Sequence, residues 1–282
     1  MRRLIGLIAT MTVALGSVSA AQNLGRNSDT WTWEGRIDSG KWFRLSSING
    51  PVSIEASDDN MVHVRAEKVL GRGNTTEVAF QVIQSDGDVR VCALWRQDVC
   101  DEDGLHSSRN NGDGNRRNVH VRFTVRVPRG VRVSAGTVNG EMRVSNVTSE
   151  VRASTVNGRV EVRNVGGQVR ASTVNGAVDV STSSGPVSAS TVNGSIDVSM
   201  SSMARDGDLK FSTVNGNVVV AMPSSVNADV SIGTTHGSIS SDYPVQISGK
   251  WGPRRAEGTI GQGGRRLDVS TVNGSVELKK AR

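Results

Sequence analysis

A five-residue phrase that recurs through the second half of the chain constrains the fold more than any other feature. The phrase reads GTVNG once and STVNG five times, and its final glycines are Gly140, Gly158, Gly176, Gly194, Gly216 and Gly274. The first four copies lie 18 residues apart, and a degenerate copy, TTHG, ends at Gly237. Repetition at a nearly fixed period indicates one structural unit that is stacked on copies of itself.

Apolar and polar residues alternate on both sides of each phrase. Val151 and Ala153 precede one copy, and Val160 and Val162 follow it. This alternation predicts two short strands per repeat, each with one buried face. The Asn-Gly pair between the strands predicts a turn, because glycine adopts positive φ freely and asparagine tolerates it better than most residues. The chain has no long amphipathic helical pattern, and we therefore expect an all-β protein.

Two architectures fit these strands. An antiparallel β-meander would use each Asn-Gly pair as a hairpin turn. A parallel β-solenoid of about 18-residue, two-strand coils would place like positions about 4.8 Å apart, so that the repeated asparagine side chains bond into a ladder. Only the solenoid gives a reason for the same asparagine in every turn, and the sequence favours it. The predicted structural ladder comprises Asn139, Asn157, Asn175, Asn193, Asn215 and Asn273.

The N-terminus has the pattern of an export signal. Two arginines precede a run of 12 apolar residues and a small-residue cleavage site that ends at Ala20. A helix needs about 20 apolar residues to cross a bilayer, so we expect no transmembrane segment in the mature chain. Trp31, Trp33 and Trp42 would then cover the exposed first coil. The predicted domains are a signal peptide (1–20), an N-terminal cap segment (21–44) and a β-solenoid repeat domain (45–282) with a polar insertion (100–118).

Cys92 and Cys100 are the two cysteines of the chain. In the oxidising compartment that an export signal implies, a close pair of this kind favours a disulfide that closes a small loop. A metal site is the alternative, but two thiols without a nearby pair of histidines make a poor one. We expect the disulfide, in a protein of the periplasm or the extracellular space.

Three parts of the sequence resemble a known family. They are residues 48–68 (INGPVSIEASDDNMVHVRAEK), residues 121–144 (VRFTVRVPRGVRVSAGTVNGEMRV) and the STVNG units. Together they resemble the bacterial "putative-adhesin" domain of unknown function, a β-strand-repeat family of exported proteins, from about residue 45 to 278. The resemblance implies a β-solenoid at the cell envelope and brings no catalytic residues. The insertion at 100–118 and the stretch 242–266 depart from the family pattern.

Two outward-facing columns of the aligned repeats carry charge of opposite sign. The basic column precedes the asparagines and consists of Ser134, Arg152, Arg170, Ser188, Lys210, Ser231 and Asp268. The acidic column follows them and consists of Arg143, Glu161, Asp179, Asp197, Val219, Ser240 and Glu277.

Glu161, Asp179 and Asp197 are the sharpest candidate site. Stacked carboxylates about 4.8 Å apart approach the carboxylate separation of retaining glycosidases, and they could also hold a hard cation such as calcium. A flat sheet, however, offers no water-excluding pocket that would raise the pKa of one carboxyl group for acid catalysis. A solvated face partly neutralised by Arg143 and Arg163 is the simpler interpretation, and we expect no catalytic or metal site.

The sequence as a whole predicts a non-catalytic exported envelope protein, either an adhesin or a binding and scaffolding β-solenoid. The alternatives are a carbohydrate-active enzyme on a β-helix scaffold and a self-assembling structural protein. No cofactor is expected, because neither a Walker-type loop nor a G-x-S-x-G elbow occurs. A formal net charge of +6 is too modest to indicate a nucleic-acid partner. The expected partners are an envelope glycan, an anionic lipid or another envelope protein.

Overall fold

The computed structural model describes residues 25–70, 77–95, 98–106, 119–182, 185–203, 207–249 and 252–281. The expected signal peptide and residues 107–118 of the polar insertion lie outside these ranges. The described residues form strands and turns, and they include no helix with the length and apolar character needed to cross a membrane.

The strands are short and follow one another closely along the chain. The first thirteen are β1 (Thr30–Gly35), β2 (Trp42–Ser46), β3 (Val52–Ala56), β4 (Val62–Leu70), β5 (Val78–Ser85), β6 (Asp88–Trp95), β7 (Val99–Cys100), β8 (Leu105–His106), β9 (Val119–Val127), β10 (Arg132–Gly136), β11 (Met142–Ser145), β12 (Val151–Ser154) and β13 (Val160–Arg163). The others are β14 (Val169–Ser172), β15 (Val178–Thr182), β16 (Val187–Ser190), β17 (Ile196–Met200), β18 (Leu209–Ser212), β19 (Val218–Met222), β20 (Ala228–His236), β21 (Ile239–Ser241), β22 (Gln246–Ser248), β23 (Arg254–Ile260), β24 (Arg266–Asn273) and β25 (Val276–Lys280).

The repeats wind as a parallel β-solenoid. Each coil gives one strand to a 12-stranded sheet, called sheet 1, and the next to an 11-stranded sheet, called sheet 2. Strand β12 pairs in parallel with β14 of the next coil, and β13 pairs in parallel with β15. The inward side chains of both sheets form one core. The solenoid prediction is confirmed, and the antiparallel meander is wrong for the repeats because consecutive strands of a coil lie in different sheets.

The threonine of the phrase joins adjacent coils from inside the turn. Thr173 is buried, and its hydroxyl donates a hydrogen bond of 2.9 Å to the carbonyl oxygen of Gly158 in the neighbouring coil. Equivalent bonds of 2.8–2.9 Å are made by Thr155, Thr191, Thr213, Thr234 and Thr271. A buried hydroxyl needs a partner, and this one holds two coils at a fixed separation.

The asparagines of the phrase form a continuous ladder on the outside of the same turns. Each side-chain amide donates a hydrogen bond of 2.8–2.9 Å to the amide oxygen of the asparagine in the adjacent coil. The ladder begins one coil earlier than the predicted set, because the buried Asn49 of the SING phrase accepts from Asn139. At the other end Asn273 lies beside His236, which occupies the ladder position of the TTHG copy.

The glycine of the phrase is required for a second reason besides the predicted one. Gly50, Gly158 and Gly176 have positive φ values of 121°, 159° and 158°, whereas Gly140, Gly194, Gly216 and the ladder asparagines do not. A Cβ atom on Gly140, Gly194 or Gly216 would collide with the carbonyl oxygen of the glycine in the adjacent coil. Close approach of two backbones therefore excludes larger residues even in the copies whose φ is not positive.

The coils are not stacked in chain order. The last coil, β24 and β25, lies between the coil of β18 and β19 and the coil of β20 and β21. At the other end, β6 and β9 lie outside β2 and β3, although β9 directly precedes β10 in the chain. Near each end of the stack, the chain therefore runs outward and then returns to pair with strands that come earlier in the sequence.

Antiparallel strands cover both sheets at the N-terminal end of the solenoid and sheet 1 at the other end, while sheet 2 ends there with the parallel strand β21. Strand β5 pairs antiparallel with β6, and β4 pairs antiparallel with both β9 and β1. At the opposite end, β22 and β23 extend sheet 1 in antiparallel orientation beyond β20. Trp31 belongs to this N-terminal cover and stacks on Phe80 at 4.8 Å between ring centroids.

The predicted cap boundary at residue 44 differs from the structure. Strand β2 spans Trp42–Ser46 and belongs to a coil, while most of the cover at this end comes from β4 and β5, downstream of the boundary.

Replacement of the phrase glycine is predicted to cost more than replacement of a glycine in open space. Gly194→Ala, at a position without positive φ, places a methyl group against the Gly176 carbonyl, which Thr191 holds in place, and should lower the free energy of unfolding by about 2–4 kcal/mol. Gly233→Ala is the control, because nothing lies within 4 Å of its Cβ position. Denaturant melts that give equal shifts for both variants would contradict the close approach.

Truncation of the ladder is predicted to depend on position. Asn175 donates to Asn157 and accepts from Asn193, whereas Asn273 donates to Asn215 and ends the series of asparagines. Because these side chains are exposed, water can replace part of the loss, and Asn175→Ala should destabilise by about 1–2 kcal/mol. Asn273→Ala should cost about half as much. Denaturant midpoints measure both values, and indistinguishable losses would show that the ladder does not couple the coils.

Candidate functional site

The acidic column lies on the outer face of sheet 2. Strand β13 pairs with β15 and β15 with β17, so that Glu161, Asp179 and Asp197 stand side by side on adjacent strands. The parallel register places neighbouring backbones about 4.8 Å apart. The structure thus brings the three predicted carboxylates together in one row.

Arginines neutralise two of these three carboxylates. Glu161 forms ion pairs with Arg163 and with Arg143, whose Nε lies 3.3 Å from the carboxylate. Asp179 is paired with Arg159 of the preceding coil. These arginines face solvent on the same sheet, and each would compete with an external cation for the carboxylate it holds.

Asp197 is the exception in the row. Partial loss of hydration, followed by the charge of Asp179, raises the pKa of its carboxyl group above the usual value, although the residue is exposed. Within the described part of the chain it has no hydrogen bond or ion pair, and its other neighbour in the column is Val219. The described residues contain no group of three or more histidine, cysteine, aspartate or glutamate side chains placed to hold a metal ion.

The basic column lies on the outer face of sheet 1 and is longer than the sequence indicated. Ser134 pairs in register with Arg152 on one side and with Arg44 of β2 on the other. Arg44 pairs in turn with Arg90 of β6. Alignment of SING with the later phrases could have found Arg44, but β6 carries no copy of the phrase and gave no signal for Arg90.

A shallow groove of about 280 Å³ runs across this face. Four arginines line it, and small residues form its floor and one side. We call it the arginine groove; its lining includes Arg44, Arg90, Arg152, Arg170, Ser134 and Gly136. The lining includes no carboxylate.

Trp42 lies beside the groove rather than at the end of the stack. Three guanidinium groups lie over its ring. The distances from the ring centroid are 4.5 Å for Arg152, 5.1 Å for Arg44 and 5.6 Å for Arg132. Such cation–π contacts hold the arginine side chains against the sheet. The sequence predicted that this tryptophan covers the end of the stack. That prediction missed its position, because the place of β2 within the stack is decided by the non-consecutive order of the coils.

The disulfide supports the same end of the groove. Cys92 and Cys100 are bonded, with a Cα–Cα distance of 6.4 Å. The loop that follows Cys100 includes Glu102, whose carbonyl oxygen accepts a hydrogen bond of 2.8 Å from Arg90. Burial, followed by the charge of Arg44, lowers the pKa of Arg90. The disulfide thus lies next to a segment that holds an arginine of the groove in place.

Comparison with known proteins identifies one family. The family model described as Toastrack DUF4097 matches residues 76–279, well over half of the chain. No curated protein matches the chain.

Several solved structures resemble this one over most of its length. A "putative cell adhesion protein" from Clostridium sporogenes is 9% identical with a TM-score of 0.38, and the match covers 89% of this chain and 99% of that one. A "putative adhesin" from Bacteroides fragilis is 10% identical with a TM-score of 0.44 and coverages of 91% and 99%. A "putative lipid binding protein" from Parabacteroides distasonis is 12% identical with a TM-score of 0.27 and coverages of 91% and 98%. At such low identity these structures say nothing about what this chain binds.

Neutralisation of two acidic-column residues is predicted to have opposite effects on stability. The pKa of Asp197 is raised on folding, so its contribution favours folding below the unfolded pKa of about 3.9 and is lost as pH rises through the folded value. Asp197→Asn should therefore stabilise slightly at pH 7 and not at about pH 3.5. Glu161→Gln removes two ion pairs and should destabilise at pH 7 by up to about 1 kcal/mol. Thermal melts at both pH values give the comparison, and shifts of equal sign at pH 7 would contradict it.

Proposed function

The chain belongs to the Toastrack DUF4097 family, and we propose that it is an exported, non-catalytic binding and scaffolding module of the cell envelope, of adhesin type. The observation that carries the proposal is the repetition of outward-facing side chains at the spacing of the strands, on two faces that are rigid because every coil is bonded to the next. Such a surface suits a partner that also repeats, since several weak contacts then act together.

The environment of the carboxylates supports a non-catalytic role. A retaining glycosidase needs one carboxylate as nucleophile and a second, protonated carboxyl group in a site that excludes water. Here Glu161 and Asp179 are each held by arginine, and Asp197 is exposed. The groove on the opposite face is lined by arginines and lacks a carboxylate that could act as acid or base.

The disulfide supports export. Cys92–Cys100 is formed, and disulfides persist mainly in oxidising compartments such as the periplasm and the extracellular space. The export signal expected at residues 1–20 agrees with this location.

One observation favours the alternative of a carbohydrate-active enzyme. The raised pKa of Asp197 next to the carboxylate of Asp179 is the kind of asymmetry by which carboxylate pairs divide the roles of acid and base. An open strand face supplies neither the substrate cleft nor the exclusion of water, and for this reason we rank the enzyme second.

End-to-end self-assembly has less support. It would require exposed parallel strand edges at both ends. Antiparallel strands cover both sheets at the N-terminal end and sheet 1 at the C-terminal end, where sheet 2 ends with the three-residue parallel strand β21. Covering of this kind is a common protection against pairing between sheet edges.

The proposed function predicts binding without turnover. The mature chain should bind at least one envelope glycan in a screen of cell-wall and outer-membrane glycans, and the bound glycan should be recovered at unchanged length. The double variant Asp179→Asn/Asp197→Asn should bind it as the parent does. Hydrolysis that disappears in Asp179→Asn would show that the protein is an enzyme, and a screen without any bound ligand would contradict the binding role.

A further inference from the structure

We propose that the arginine groove binds a linear polymer that carries phosphate groups, laid along the solenoid axis. This inference rests on the proposed binding function and names the ligand chemistry and the face that takes it. The proposal depends on a row of cations on spatially neighbouring strands, in which a serine takes every third position. In spatial order the row is Arg90, Arg44, Ser134, Arg152, Arg170, Ser188 and Lys210.

The serine positions make room for an anion between two cations. Ser134 separates Arg44 from Arg152, whose backbones are therefore two strand spacings apart, or about 9–10 Å. Beside it, Gly136 leaves the floor of the groove open. A tetrahedral phosphate has enough oxygens to meet a guanidinium on each side and the serine hydroxyl below, whereas a carboxylate offers only two oxygens to these three groups.

The arginines are held in place before any ligand arrives. Asp88 binds the Arg44 guanidinium at 2.8 Å, and Glu150 binds that of Arg152 at 2.8 Å. Both carboxylates belong to the neighbouring column and lie outside the lining of the groove. They fix the orientation of the guanidinium groups, which lowers the entropic cost of binding.

Arg170 is an available cation near the middle of the row. Among the described residues it makes no hydrogen bond or ion pair, and it is exposed on the face of sheet 1. The charge of Arg170 can therefore be removed without breaking a contact of the folded chain.

The arrangement repeats, and the repeat indicates a polymer rather than a single anion. Ser188 separates Arg170 from Lys210 as Ser134 separates Arg44 from Arg152. The two serine positions are three strands apart, or about 14 Å. Beyond Lys210 the column continues with Asp268, Ser231 and Glu257, so the cationic stretch ends there.

The charge is confined to one line, which favours a chain over a membrane surface. On one side of the row the next outward column includes Asp88, Arg132, Glu150, Gln168, Pro186 and Asp208, in which three carboxylates outweigh one arginine. On the other side it contains Ser154, Ser172, Ser190 and Ser212. A bilayer is attracted by a broad plane of cations, whereas acidic and neutral flanks leave a strip wide enough for one extended polymer.

Binding of inorganic polyphosphate to the whole mature protein tests the site. Fluorescence anisotropy or calorimetry should show a dissociation constant that rises with salt. Arg170→Gln should weaken binding about tenfold, the effect of one lost contact of 1.4 kcal/mol. Ser134→Asp should weaken it more than tenfold, because its carboxylate would pair with Arg44 and Arg152 and occupy the phosphate position.

Each variant has a control of equal charge change on the opposite sheet. Arg126→Gln removes an exposed arginine of β9 whose ion pair with Glu55 is long, at 3.8 Å. Ser53→Asp adds a carboxylate on β3 next to Arg143. Both controls should change the dissociation constant by less than about twofold, because exposed charges on the far face are screened.

The outcomes separate this site from the proposed function. Equal weakening by variants and controls would mean that polyphosphate senses net charge alone, and the groove assignment would be wrong. Binding to phosphatidylglycerol vesicles, with none to polyphosphate, would overturn the polymer in favour of a membrane. An envelope glycan from the screen could also bind Ser134→Asp and the parent equally. The proposed binding function would then stand, but its site would lie outside the groove and the groove assignment would be wrong.

Discussion

The contact between the turn glycine of one coil and the backbone of the next is the constraint on which the rest of the structure depends. Without a side chain at Gly176, the Gly158 carbonyl can lie against the turn and accept a hydrogen bond from Thr173. The asparagine ladder then joins the same turns by side-chain hydrogen bonds on their outer side. Threonine, asparagine and glycine of the phrase therefore act together, and each has its own physical reason to recur.

Fixed coil separation turns every outward position into a column of side chains. On sheet 2 the columns place carboxylates next to arginines, so that much of the charge of Glu161 and Asp179 is compensated within the protein. On sheet 1 the arginines accumulate, and their supporting carboxylates, Asp88 and Glu150, lie to one side. The same register thus gives one face whose charges are largely paired within it and one on which Arg170 has no paired carboxylate among the described residues.

Covered ends follow from the same geometry. A stack of parallel coils leaves an open strand edge at each end, which would pair with other chains. Here the N-terminal end is completed by β4 and β5, and the C-terminal end of sheet 1 by β22 and β23, all of them antiparallel to the strands that they cover. Sheet 2 ends there with the short parallel strand β21. Insertion of the last coil inside the stack keeps the chain end away from the edge.

The sequence by itself determined the local unit: two strands, a buried face on each, the turn and the ladder from Asn139 to Asn273, because these depend on contacts that every copy repeats. It also brought Glu161, Asp179 and Asp197 into one row, since their spacing equals the period. Only the tertiary structure decided that Arg90 and Arg44 extend the basic column, that Trp42 lies beside it, and that glycine is required for close approach. Those features depend on strands such as β6, which carries no copy of the phrase. Strand β6 pairs with β2 although the two are not consecutive in the chain, and no local pattern encodes that pairing.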